Sequence, residues 1–126
     1  MGYDYEELMS KYRHRSNELT AEEIDFIIKE SKARLIAGMP ISVDAFYLAI
    51  EDDYNSYEYG DVTDVWSHGW VVRELIVHLD GKHYYTLVAW HDDYGIDEDD
   101  QLEFKEAVLT KVLVDRWVEV KDENRD

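Results

Sequence analysis

The 126-residue sequence contains no cysteine and a single proline. Without cysteine, a disulfide framework and a thiolate zinc site are excluded, and the reducing cytosol is the expected environment. No apolar run approaches the roughly 20 residues that cross a bilayer, and the first residues lack the basic and apolar segments of a signal peptide. We therefore expect a soluble, cytoplasmic protein that makes no contact with a membrane.

Basic residues are nearly missing from the middle of the chain. Residues 35–104 carry two, Arg73 and Lys82, against sixteen aspartates and glutamates, and so hold fourteen of the 17 net negative charges. The acids gather in a first acidic cluster, residues 51–64, and a second acidic cluster, residues 91–100, each with interleaved tyrosines. Such a surface repels nucleic acid and anionic membranes, which bind proteins largely through Lys and Arg. It attracts and steers a basic protein surface instead.

The rest of the composition is that of a folded protein. Hydrophobic residues make up 45% of the chain, with four tryptophans and ten tyrosines, so the acidity does not imply disorder. A chain of this length builds one core. We expect a single domain over residues 1–120, followed by a disordered tail over residues 121–126.

Apolar residues recur at helical spacing in the N-terminal third. Their spacing predicts a short amphipathic helix over residues 3–14. Thr20 and Glu23 fit the T-x-x-E capping box. The apolar stripe after them predicts a second helix over residues 21–37, which Gly38 would end.

The next two segments are less distinct in the sequence. Residues 41–50 suit either a helix capped by Ser42 or a buried strand, and we prefer the helix. The first acidic cluster contains Asn55, Ser56 and Gly60, which are typical of turns. We expect this cluster to form a loop or an edge of the sheet.

A hairpin is the strongest strand signal in the chain. Residues 70–79 and 82–90 are rich in β-branched and aromatic side chains, and Asp80-Gly81 between them suits a type I′ turn. A two-residue turn fixes the register, and the expected pairs are Leu79–Lys82, His78–His83, Val77–Tyr84 and Ile76–Tyr85. The last apolar run, residues 107–120, predicts one or two more strands. The expected fold is therefore α+β, with N-terminal helices packed on an antiparallel sheet of about three to five strands.

Signatures of catalysis are missing from the sequence. It has no cysteine, no G-x-S-x-G nucleophile, and neither a G-x-G-x-x-G nor a Walker loop. Carboxylates are so numerous that no acid–base pair stands out, and solvated acidic runs lack the apolar surroundings that raise a catalytic pKa. We expect neither enzyme activity nor a cofactor.

Two arrangements approach a metal site without completing one. In a calcium loop starting at Asp92, Tyr94 and Ile96 would occupy the third and fifth ligand positions, which need oxygen donors. The predicted register places His78 opposite His83, but a transition metal needs a third ligand. We expect no bound metal, with a looser calcium site in the second acidic cluster as the alternative.

The acid and tyrosine clusters on a small cysteine-free α+β scaffold resemble the phage-encoded inhibitors that act as DNA mimics, the anti-CRISPR and anti-restriction proteins. Carboxylates can imitate duplex phosphates, which repeat every ~3.4 Å along a strand, and tyrosines are favoured at binding hot spots. The resemblance implies an inhibitor that blocks the DNA-binding groove of a Cas effector nuclease or a restriction enzyme in the bacterial cytoplasm. It assigns the contact to Glu51, Asp52, Asp53, Tyr54, Tyr57, Glu58, Tyr59, Asp61, Asp64, Asp92, Asp93, Tyr94, Asp97, Glu98, Asp99 and Asp100.

Other functions use the same electrostatics. An immunity or antitoxin protein would neutralise a basic toxin through such a surface. An acidic structural or adaptor module would need no nuclease partner, and solvated acidic loops can also serve solubility alone. All of these alternatives share the acidic surface, so the sequence does not separate them.

Overall fold

Three helices form the N-terminal part of the chain. The computed structural model describes residues 2–110 and residue 120. Helix α1 spans Tyr5–Arg15, α2 spans Ala21–Ile36 and α3 spans Val43–Ala49, with a 3₁₀ turn between α1 and α2. No helix in the described part of the chain has the length and hydropathy needed to cross a membrane.

The ends of α2 follow the sequence prediction closely. The Thr20 side chain accepts a hydrogen bond from the Glu23 N–H at 3.1 Å, and the Glu23 carboxylate accepts one from the Thr20 N–H at 2.9 Å. Both halves of the predicted capping box are therefore present. At the other end, Gly38 adopts φ +75° just beyond the helix, as a C-terminal glycine does.

Residues 41–50 combine the two structures that the sequence left open. Ile41–Ser42 forms the short strand β1, and α3 follows it directly. The Ser42 Oγ accepts a hydrogen bond from the Ala45 N–H at 3.3 Å, so Ser42 is the N-cap of α3. The preferred helix is confirmed for most of the segment.

Six further strands follow α3. Their bounds are β2 Tyr57–Val65, β3 Trp70–Leu79, β4 Lys82–His91, β5 Gly95–Ile96, β6 Gln101–Leu102 and β7 Lys105–Ala107. The main sheet is antiparallel and has five strands, in the order β2-β3-β4-β5, with β7 also paired to β4. Strands β1 and β6 form a separate two-stranded antiparallel sheet. The predicted α+β class with an antiparallel sheet is confirmed.

The β3–β4 hairpin has the register that the sequence predicts. Its pairs run without interruption from Leu79–Lys82 at the turn to Trp70–His91 at the open end. Asp80 and Gly81 adopt φ +52° and +76°, the two positive values that a type I′ turn requires.

The helices cover one side of this sheet, which we call the inner face. Leu75 and Val77 of β3 point into the core and are fully buried. Phe46 of α3 lies beside them in the same cluster and stacks on Phe104 at 5.7 Å between ring centroids. Burial on this face is what joins the helical layer to the sheet.

The C-terminal prediction falls mostly outside the described residues. Of the run 107–120, Ala107 lies in β7 and residues 108–110 form no strand. Residues 111–119 and the predicted tail, residues 121–126, lie outside the part of the chain that the structure describes.

Replacing Gly81 by valine tests the hairpin turn. We expect Gly81→Val to lower the free energy of unfolding by about 2 kcal/mol, because a β-branched residue resists positive φ. The control Asp80→Asn should change little, since Asn also tolerates the left-handed region. Urea unfolding of both variants measures the difference, and an unchanged midpoint for Gly81→Val would contradict the turn geometry.

Candidate functional site

The first acidic cluster forms a turn followed by the edge strand of the sheet. In the turn, the Asp53 carboxylate accepts hydrogen bonds from the Asn55 N–H at 3.0 Å and from Ser56 Oγ at 3.1 Å. Strand β2 then carries the remaining acids along the sheet edge, so the predicted edge is present. All six predicted contact carboxylates of this cluster are exposed, namely Glu51, Asp52, Asp53, Glu58, Asp61 and Asp64.

The three tyrosines of this cluster lie in different surroundings. Tyr54 is 74% exposed. Tyr57 and Tyr59 are half-buried on the inner face, where Tyr57 meets Phe46 edge-on at 5.5 Å. Desolvation raises the pKa of Tyr59 to about 12. Tyr54 is thus placed for contact with a partner, whereas Tyr57 and Tyr59 also anchor the cluster to the core.

The second acidic cluster is a pair of turns around the short strand β5. Asp92, Asp93, Tyr94, Glu98 and Asp99 are exposed, and Asp97 and Asp100 are half-buried. The exposed ring of Tyr94 stacks on His91 at 4.4 Å. Burial and the nearby Asp97 carboxylate raise the pKa of Asp100, which agrees with the crowding of negative charge in this segment.

Hydrogen bonds fix the turn that follows the first acidic cluster to the start of the second, at the open end of the β3–β4 hairpin. The imidazole of His91 is buried, and its Nε2 donates to the His68 carbonyl oxygen at 2.9 Å. Its Nδ1 accepts from the Asp93 N–H at 3.0 Å, so the ring is the neutral Nε2–H tautomer. The Asp92 N–H also donates to the Gly69 carbonyl oxygen at 3.2 Å. The turn that follows the first cluster is therefore fixed to the start of the second.

Residues 35–104 contain two basic side chains, and both contact other groups of the protein itself. Arg73 is half-buried, donates from Nε to the Gly60 carbonyl oxygen at 3.2 Å and lies 4.9 Å above the ring of Trp90. Lys82 lies at the hairpin turn, 3.5 Å from the Glu106 carboxylate. Neither cation forms an ion pair with an acid of the two clusters within the described residues.

Few of the twelve predicted contact carboxylates are paired. Glu51 lies 3.8 Å from the Lys32 ammonium, and Glu58 lies 3.9 Å from His78 Nε2. Within residues 2–110, the other ten form no ion pair. Among residues 2–110, the two clusters therefore present a largely exposed surface of mostly unpaired negative charge.

A polar cavity lies between α1, α3 and the second acidic cluster. Its wall includes Asp44, which forms an ion pair with Arg13 at 2.5 Å and a hydrogen bond with Ser42. Burial alone would raise the Asp44 pKa, but the bonds from Arg13 and Ser42 outweigh it and lower the pKa. A carboxylate held ionised in this way is poorly suited to donate a proton at neutral pH.

His78 and His83 lie opposite each other in the hairpin, as the predicted register requires. The rings of His78 and His83 lie 4.4 Å apart between centroids. In the part of the chain that the structure describes, no three His, Asp or Glu side chains are arranged to hold a metal ion. His91 lies at the opposite end of β4, where it serves the contact between the clusters.

Two features of the site are not evident from the sequence. One is the bridging role of His91, which depends on the turn containing His68 lying beside it. The other is the exposure of Val65 and Trp66, at 72% and 54%. A tryptophan next to the polar residues of a turn is the one sequence signal that could have indicated the second feature.

Comparison with known proteins found no relative of this chain. No family model matches the chain. No curated protein and no solved structure matches it either.

Proposed function

We propose that this protein is an inhibitor that binds a basic, DNA-binding groove of another protein by imitating DNA. The target class we favour is a Cas effector nuclease, with a restriction enzyme as the next. The inhibitor would act in the cytoplasm, where these nucleases cleave DNA. One observation carries the proposal: the turn after the first acidic cluster is fixed to the start of the second, and ten of the twelve carboxylates of the two clusters have no ion pair within the described residues.

The chemistry of the surface supports a protein partner. Groups of Lys and Arg that bind phosphates bind carboxylates through the same charge-assisted hydrogen bonds. Rigid attachment matters because a fixed array of charges loses less conformational entropy on binding. The hydrogen bonds from His91 to His68 and from Asp92 to Gly69 supply such attachment.

The test is inhibition of DNA cleavage. A panel of purified RNA-guided Cas nucleases, restriction enzymes and one basic toxin nuclease would cleave a fluorescent duplex with and without the protein. We expect inhibition of a Cas nuclease that excess duplex DNA relieves and that weakens as salt rises from 50 to 200 mM, because charge-driven binding is screened.

The other outcomes separate the alternatives. Inhibition of the toxin nuclease alone would favour the immunity function over the anti-CRISPR function. Unchanged cleavage by every nuclease at low salt would contradict the proposal. A heat-denatured sample keeps the charge and loses the fold, so it controls for inhibition by negative charge alone.

A further inference from the structure

The inner face of the sheet has two parts, one near the hairpin turn and one near the open end. Partner residues on adjacent antiparallel strands share a face, so the register assigns each row of side chains to one side. Two rows near the hairpin turn, Tyr57–Val77–Tyr84 and Tyr59–Leu75–Thr86, pack toward the helices. Two rows nearer the open end follow, Val62–Arg73–Val88 and Val65–Val71–Trp90.

The rows nearer the open end contain exposed apolar side chains. Val62 is 46% exposed and Val65 is 72% exposed, while Val71 and Trp90 are half-buried. We call these four residues the apolar shelf; the half-buried Arg73 lies among them on the same face, with its guanidinium 4.9 Å above the ring of Trp90. Trp66, 54% exposed, follows directly at its edge. Single exposed apolar residues are common on proteins, but a group of them on one rigid face marks an interaction surface.

Acidic residues lie next to the apolar shelf along the chain. Asp61 directly precedes Val62 on β2, whereas Asp64 pairs with Val72 and points from β2 to the opposite face. Asp92 and Asp93 follow β4, the strand that carries Trp90. An apolar centre with a charged rim is the usual anatomy of a protein–protein interface.

We propose that the apolar shelf receives an apolar or aromatic side chain that projects from the basic surface of the partner. This inference rests on the proposed function and adds a second recognition element to it. Charge complementarity selects the occupant, because the acidic rim attracts a basic surface. A second copy of this chain would bring another 17 net negative charges to the same rim, which opposes self-association.

Two peptides of equal charge test the shelf directly. The probes are acetyl-RRWRR-amide and acetyl-RRSRR-amide, titrated into the full-length protein and followed by NMR chemical shifts. We expect the tryptophan peptide to bind about tenfold more tightly, because it buries an aromatic ring. The ratio of the two dissociation constants should stay constant as salt rises, since both peptides carry the same charge. The largest shift changes should fall on Val62, Val65 and Val71.

Two variants test whether the preference for the tryptophan peptide depends on this part of the surface. The double variant Val65→Ser, Trp66→Ser should remove the preference for the tryptophan peptide while keeping the binding of the serine peptide. The control Leu87→Ser changes a leucine that is 48% exposed and lies on the opposite face, and it should keep the preference. Because all three side chains are exposed, circular dichroism should show intact folding.

The outcomes separate the shelf from the inhibitor function. Equal binding of both peptides, or a preference that survives the double variant, would overturn the shelf proposal and leave the acidic surface intact. A confirmed preference without inhibition of any nuclease would sink the inhibitor function while the shelf stands. Dimerisation that the double variant abolishes in sedimentation would assign the shelf to a second copy and overturn the proposal. So would NOE contacts between the shelf and residues 111–119 in the free protein.

Discussion

Replacing Asp61, Asp64, Asp92 and Asp93 together by asparagine should weaken binding to the target nuclease at least about 100-fold. Asp61 and Asp64 are the last acids of the first cluster and Asp92 and Asp93 are the first acids of the second, and each would lose a charge-assisted contact with a basic groove. The fold should not suffer, because all four are exposed and removal of like charges relieves repulsion. Inhibition titrations measure the binding, and thermal unfolding measures the stability.

A matched control keeps the net charge the same as in that variant. Neutralising Glu7, Glu22, Asp80 and Glu103, which are exposed and lie outside the two clusters, should reduce binding only slightly. Equal losses in both variants would mean that the partner senses overall charge, and a specific acidic surface would then be ruled out. The salt dependence of nuclease binding gives a second measure. The slope of the binding constant against salt concentration should fall only when the clusters are neutralised.

Gly69→Ala should be the most damaging single substitution in the turn that joins the clusters. Gly69 adopts φ +85°, and a Cβ atom there would lie 2.8 Å from Nε2 of His91. The ring of His91 would have to move, with loss of its hydrogen bonds to His68 and Asp93. We expect the free energy of unfolding to fall by about 3 kcal/mol, from backbone strain and broken buried hydrogen bonds together.

Gly81→Ala is the matched control for this substitution. Gly81 has a similar φ of +76°, but a Cβ atom added there would meet no other atom within 4 Å. It should therefore lose only about 1 kcal/mol, the cost of the left-handed backbone. Urea unfolding would give both values, and equal losses would show that the contact with His91 is unimportant. Gly69→Ala should also weaken nuclease inhibition without any change in charge, because the clusters would lose their fixed relation.

Much of the fold was predictable because its signals are local. The capping box of Thr20 and Glu23 lies within four consecutive residues, and the turn at Asp80-Gly81 fixes the whole hairpin register. Strand β2 was harder to recognise because its pairing with β3 shifts register twice, between Tyr59 and Val62 and between Val62 and Asp64. Such irregularities break the alternation of apolar and polar residues on which strand prediction depends.

The candidate site was predictable in composition but not in arrangement. The exposure of the carboxylates follows from their charge, since ionised groups are rarely buried without a partner. The half-buried positions of Tyr57 and Tyr59 depend on Phe46, which comes from a different element. The hydrogen bond of His91 to His68 likewise depends on a turn 23 residues earlier in the chain.

The amino-acid sequence by itself determined the helix caps, the hairpin register, the α+β class and the concentration of negative charge in two clusters. These follow from neighbouring residues and from side-chain chemistry, which act wherever the chain goes. Tertiary structure alone decided that the turn after the first cluster is fixed to the second, that Arg73 is used internally, and that the valines of β2 remain exposed. Each of these depends on contacts between residues distant in the sequence, and such contacts exist only once the sheet and helices are assembled.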